Sequence, residues 1–286
     1  MEYKRCQVIA EIGCLHLGCP VRAKMLCFLA KASGADFVKT QKRNPEESTP
    51  KHLHNAPHPN PMYSYGSTYL EHRKNLELPI EEHAEIQKYC NEIGIVYTTS
   101  VWDITSAREV IALNPPLIKV PSACNGNWKM LDILMNEYNG QIHVSTGMTM
   151  ADELDQIVDR MKHLGSRLVV YHCTSTYPCP FENLYLKEIL KIRDKVEKYG
   201  CEVGFSNHGR GIAADIAAYT LGSTWIERHM VDDRTVRHTD SAASLEPDGL
   251  KKLCRDLHAV QRAMNERPVK MDEMELEQRN KLRYKD

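Results

Sequence analysis

Short apolar runs alternate with amphipathic helical segments eight times along this chain, and few folds accept that rhythm. The runs predict strands over 7–12, 37–41, 96–100, 117–121, 142–146, 168–173, 202–206 and 224–228. Helical spacing predicts helices over 21–33, 80–93, 106–113, 129–137, 151–164, 184–198, 212–221 and 247–264. Strands that alternate with helices form parallel βαβ units. Eight of them within residues 1–265 predict an α/β fold, a single-domain (β/α)8 TIM barrel carrying the catalytic machinery. A doubly wound open sheet is the structural alternative. It would place a glycine-rich dinucleotide turn after the first strand, and Glu11-Ile12-Gly13-Cys14-Leu15-His16 lacks that pattern.

Two segments interrupt the rhythm. Residues 42–79 form a long connection rich in proline and histidine. Its prolines favour a stiff lid or flap over a metal-binding tract made from His52, His54 and His58. Residues 266–286 are polar and charged and predict a short tail. A net charge of −1 without blocks of like charge argues against a nucleic-acid partner. No apolar run is long enough to span a bilayer, and the N-terminus lacks the apolar core of a signal peptide. The ten cysteines show no CxxC pairs or zinc spacing, which predicts reduced thiols and a cytoplasmic protein.

In a barrel the chemistry collects at the C-terminal strand ends. Lys39 and Lys119 interrupt otherwise apolar strands, which is expensive unless each meets an anion or a carboxylate. A structural ion pair with Glu11 or Glu227 would explain one of them. Two lysines among Ser122, Ser145, Ser175 and Ser206 suggest a pocket for phosphate or carboxylate. His208 and His229 end the seventh and eighth strands. Alone, each could simply cap its strand with a hydrogen bond. As neighbours they form a pair suited to a divalent metal.

These residues lie in a recognisable order. Ala10-Glu11-Ile12-Gly13 with His16, Phe37-Val38-Lys39-Thr40-Gln41 and the Tyr69–Leu78 stretch containing Arg73 come first. Lys119-Val120-Pro121-Ser122, Ser145-Thr146-Gly147-Met148 and His172-Cys173-Thr174-Ser175 follow. Ser206-Asn207-His208-Gly209, Ile226-Glu227-Arg228-His229 and Ser244-Leu245-Glu246-Pro247 complete the set. The chain resembles the barrel domain of the sialic acid (N-acetylneuraminate) synthase family.

The resemblance implies condensation of phosphoenolpyruvate with an open-chain amino sugar of the N-acetylmannosamine type. A nonulosonic acid forms and phosphate leaves by C–O cleavage. It implies Glu11, Glu227 and Lys119 as catalytic residues. Phosphoenolpyruvate contacts fall on Lys39, Ser100, Lys119, Ser122, Ser145, Ser175 and Ser206. Sugar contacts fall on Gln41, His16, Arg73 and Cys124, and a Mn²⁺ or Mg²⁺ ion falls on His208 and His229. A homodimer is implied as well.

Some positions depart from the family pattern. Cys124 stands where an acidic sugar contact is common, Leu15 where an asparagine is frequent, and Asn207 where an aspartate precedes the histidine. The small antifreeze-like domain of bacterial members is not expected here, nor is the arginine it supplies. Two other readings remain open. One is a related aldolase or keto-sugar-acid synthase using phosphoenolpyruvate or pyruvate with a different aldehyde. The other is a sugar-binding barrel without turnover.

Overall fold

The computed structural model describes residues 4–284. Eight parallel strands close into a barrel in sequence order: β1 (Gln7–Gly13), β2 (Phe37–Lys42), β3 (Val96–Val101), β4 (Leu117–Val120), β5 (Gln141–Ser145), β6 (Leu168–Cys173), β7 (Glu202–Asn207) and β8 (Trp225–His229). β1 pairs with both β2 and β8, so no edge is left and the open-sheet alternative is excluded. The helices that pack outside the strands begin with Pro20–Ala32, Ile80–Ile93 and Ile104–Leu113 and end with Pro247–Ala263.

Local chemistry sets these helix ends. Pro20 and Pro247 stand at first helical positions, where a missing N–H costs nothing. Asp103 caps Ile104–Leu113 by accepting from Ser106 N. Gly94, with φ 75°, ends Ile80–Ile93.

Strand side chains alternate between two environments. Val8, Val38, Ile118, Val120 and Phe205 belong to the core between sheet and helices. Ile9, Phe37, Leu117, Val169, Tyr171 and Trp225 form a separate apolar layer. Gly204 gives the Tyr171 ring its room, since a Cβ there would lie 2.5 Å from Tyr171 Cε1. Two residues further along their strands come Glu11, Lys39, Lys119 and Glu227, and His229 follows Glu227 by two more. The apolar layer thus floors a polar mouth.

The connection at 42–79 is less irregular than its prolines suggest. It contains the helix Tyr69–Leu76, capped by Thr68, which accepts from Glu71 N. The tail also contains a helix, Glu273–Leu282, which buries none of its residues. No helix among the described residues is long and apolar enough to cross a membrane.

Candidate active site

The mouth opens into a cavity of about 760 Å³. Glu11, Lys39, Gln41, Arg73, Ser100, Lys119, Ser122, Ser145, Ser175, Ser206, His208, Glu227 and His229 all line it. Thirteen candidates scattered through the sequence therefore share one cavity.

At its centre lies a buried charge cluster. Lys39 Nζ is 2.6 Å from Glu11 Oε2 and 3.8 Å from Glu227 Oε2. Lys119 Nζ donates to Glu227 Oε2 at 3.0 Å, and Ser206 Oγ donates to Glu227 Oε1 at 3.1 Å. Strand register enforces these pairs, because Glu11 aligns with Lys39 and Ser206 with Glu227. Both lysines thus carry carboxylate partners, where the sequence offered such a pair for one of them and an anion pocket for the two together.

The two carboxyls are driven apart. Burial pushes Glu227 up, but Lys119 and Lys39 outweigh it and hold Glu227 well below the usual range. Burial pushes Glu11 up, and Lys39 only partly offsets it. Glu11 is therefore the carboxyl of the pair that takes a proton first. Burial also pulls the Lys119 ammonium down, against the pull of Glu227, and its Nζ sits 3.4 Å from the Tyr171 ring centroid.

The hydroxyls gather on the β4–β6 side. Ser122 Oγ accepts from Gly147 N at 3.0 Å. A Cβ on Gly147 would stand 2.3 Å from Ser175 Oγ and 2.8 Å from Ser122 Oγ, so glycine is what lets the two hydroxyls converge.

The imidazoles stand on the β7–β8 side, with ring centroids 5.3 Å apart. His208 Nδ1 donates to Thr174 O at 3.0 Å, which leaves the Nε2 lone pair free. Burial lowers its pKa to about 3, so the ring is neutral. His229 Nδ1 is buried without a hydrogen-bond partner, 3.7 Å from Asp240 Oδ2. A neutral His208 ring and an unpartnered His229 nitrogen beside it fit a divalent ion. No group of three or more His, Cys, Asp or Glu among the described residues is arranged to hold one, and His208 and His229 are the two residues that would do so.

Outward-facing neighbours fix both histidines. Asn207 Nδ2 and Arg228 Nη1 each donate to Asp215, at 2.9 and 2.8 Å. Arg228 also donates to Gly209 O and Gly211 O, clamping the loop that carries His208. Asn207 therefore works behind the cavity wall.

Two acceptor-side candidates do not reach the cavity. His16 turns into the β1 loop, where its Nδ1 accepts from Gly18 N at 3.1 Å, and burial lowers its pKa to about 4. Cys124 turns back onto Trp102 O, and Ala123 occupies the wall in its place. Sequence reasoning missed Asp240, whose carboxylate lies 3.6 Å from His238 Nδ1. Burial pushes that carboxyl up, but His229, His238 and His208 outweigh it and hold it low. It also missed Tyr177, whose ring centroid is 4.1 Å from His208, and the wall residues Arg43 and Trp102; His58, Tyr69 and His72, which the sequence named without a role in this site, line the wall too. The missed residues' only signal was position in the connections after β2, β3, β6 and β8.

A closed parallel barrel with its ionisable groups assembled at the C-terminal mouth defines a TIM-barrel enzyme. The NeuB family matches residues 26–268. N-acetylneuraminate-9-phosphate synthase of Homo sapiens is 34% identical over 259 residues, 91% of this chain and 71% of that protein. N,N'-diacetyllegionaminic acid synthase of Campylobacter jejuni is 31% identical over 266 residues, 92% and 78% of the two chains. The crystal structure of N-acetylneuraminic acid synthetase from Leptospira borgpetersenii superposes with a TM-score of 0.81 at 23% identity, covering 99% of this chain and 94% of that one, which shows a shared fold. The chain belongs to the NeuB family and is an enzyme of the sialic acid synthase type.

Proposed function

We propose that this enzyme condenses phosphoenolpyruvate with the open-chain aldehyde of an amino sugar of the N-acetylmannosamine type, forming a nonulosonic acid and phosphate. One observation carries the reading: a Lys–Glu–Lys–Glu cluster, a hydroxyl cradle and a pair of imidazoles share one cavity. The relatives named as synthases of related sugar acids support it.

Lys119 and Lys39, with Ser122, Ser145, Ser175 and Ser206, hold the phosphate and carboxylate of phosphoenolpyruvate, and Ser100 borders that side. Gln41 and Arg73 face the sugar. Carbon 3 of phosphoenolpyruvate bonds to the aldehyde carbon, whose oxygen takes a proton from Glu11. Water adds at carbon 2 and gives its proton to ionised Glu227. The resulting tetrahedral centre expels phosphate by C–O cleavage, its hydroxyl proton leaves with the phosphate, and the ketone forms. A Mn²⁺ or Mg²⁺ ion bound by His208 and His229 would supply Lewis-acid polarisation of the aldehyde. A homodimer and a cytoplasmic setting belong to the same proposal.

Lys119 gives a second reading one specific support. It is buried, with its ammonium pulled down by desolvation, as a Schiff-base lysine of a pyruvate aldolase would be. Phosphate release from phosphoenolpyruvate, measured across a hexosamine panel with and without Mn²⁺, separates the two. Metal-dependent release with one acceptor supports condensation. Borohydride trapping of pyruvate on Lys119, without phosphate release, supports the aldolase.

A further inference from the structure

The floor beneath the charge cluster is not wholly apolar. Lys119, His143 and Tyr171 stand on the adjacent strands β4, β5 and β6, and all three are buried. The Tyr171 ring lies against the Lys119 ammonium, with Nζ 3.4 Å from its centroid. Gly204, the register partner of Tyr171 on β7, leaves that ring its room. His143 packs edge-on against Trp225, with centroids 4.6 Å apart, and its Nδ1 meets Tyr171 OH at 2.9 Å.

The direction of that hydrogen bond follows from the other side of the imidazole. Gln141 Nε2 donates to Ser166 O at 3.2 Å, which turns Gln141 Oε1 toward His143 Nε2 at 3.3 Å. An amide oxygen only accepts, so Nε2 carries the hydrogen and Nδ1 offers a lone pair. Burial holds the His143 ring neutral and keeps the Tyr171 phenol protonated. Tyr171 OH therefore donates to His143. A phenol that donates to an imidazole is polarised, with more electron density on its ring, and the richer ring face holds a cation more strongly.

Packing alone would explain an aromatic ring in this layer. Phenylalanine would fill it equally, without a buried hydroxyl that needs a partner. Packing does not explain a hydrogen-bond chain running from Gln141 through His143 to the ring under an ammonium. Lys119 also has the weaker claim on the carboxylates. It shares Glu227 Oε2 with Lys39, which has Glu11 at 2.6 Å as well. When Glu227 takes the proton of water, that shared charge is lost, and the ring face remains. A ring face favours the ammonium, not the free amine that a Schiff base requires.

We propose that Tyr171, polarised by His143, is a positioning residue whose ring face keeps the Lys119 ammonium from closing fully onto Glu227 and turns it toward the anion of phosphoenolpyruvate. The inference rests on the condensation reading and adds to it a residue that acts through Lys119.

The test drains the ring without emptying its space. Phenylalanine and its mono-, di- and trifluorinated forms replace Tyr171 by nonsense suppression. Binding of phosphoenolpyruvate is measured by calorimetry without acceptor, and its KM with acceptor. Both should rise with each added fluorine, by about tenfold over the series, the effect of losing one desolvated cation–π contact. The KM for the sugar should move by less than about twofold. His143→Leu should raise the KM for phosphoenolpyruvate about threefold in the native enzyme and far less in a Tyr171→Phe background, where the hydroxyl it polarises is gone. The fluorinated rings nearly match phenylalanine in volume, so the series stands even if His143→Leu fails to fold. A flat series with acceptor-dependent phosphate release intact would overturn the positioning role and leave condensation standing. Equal rises in both KM values, or an undiminished His143→Leu effect in the Tyr171→Phe background, would overturn it too. Phosphoenolpyruvate binding that weakens with each fluorine, without phosphate release from any acceptor, would keep the positioning role and sink the condensation reading.

Discussion

Lys119 Nζ and Glu227 Oε2 lie 3.0 Å apart, with side chains only 2% and 7% exposed. A buried pair adds little net stability, but removing one partner strands the other. Lys119→Met should therefore cost about 3–5 kcal/mol, moderated by Lys39 at 3.8 Å from the same oxygen. Lys119→Met/Glu227→Gln should cost clearly less than the two single changes combined. Urea unfolding of the four proteins gives the coupling directly, and strict additivity would contradict the pairing.

Open imidazole nitrogens at the β7 and β8 ends lead to a metal prediction. His208→Ala or His229→Ala should weaken Mn²⁺ binding at least tenfold in calorimetry, by analogy with the loss of other ligand-shell groups, and abolish turnover. Undiminished Mn²⁺ affinity in both variants would remove the metal from these residues.

Gly147 tests the hydroxyl cradle. An added methyl group would force Ser175 and Ser122 to turn away. Gly147→Ala should raise the KM for phosphoenolpyruvate by about tenfold, the cost of roughly one hydrogen bond, and leave the sugar KM near its starting value. An equal rise in both would place the cradle elsewhere.

His83 is a histidine remote from the cavity whose effect on pH stability can be isolated. It bonds to Tyr97 OH at 2.6 Å, and burial lowers its pKa from 6.5 to about 3. The unfolded chain binds this proton first as pH falls. Its contribution to stability is complete above pH 6.5 and is lost progressively as pH falls toward about 3. His83→Gln should therefore flatten the fall in unfolding free energy by up to about 1.4 kcal/mol per pH unit across that window. Parallel curves for the two proteins would show that His83 is protonated in the fold.

The barrel was legible because each strand is a compact apolar run, and the predicted β6, 168–173, coincides with the observed Leu168–Cys173. The site was legible where a polar residue broke such a run, as Lys39 and Lys119 do. Their pairing with Glu11 and Glu227 depends on strand register, which a single sequence states only weakly. His16 and Cys124 neighbour tip residues in sequence, but the turn after β1 and the 3₁₀ turn Ser122–Cys124 rotate them off the wall. Arg43, His58 and Asp240 sit in connections, where proline and glycine mark a loop without giving its path.

Transfer of the bridging oxygen of phosphoenolpyruvate tests the central claim most directly. Phosphoenolpyruvate labelled with ¹⁸O between carbon 2 and phosphorus is incubated with the enzyme, Mn²⁺ and the acceptor that supports release, and the phosphate is analysed by mass spectrometry. Addition of water at carbon 2 followed by C–O cleavage predicts that the label leaves with phosphate, and only when acceptor is present. Label retained in the sugar acid, or labelled phosphate formed equally without acceptor, would contradict it.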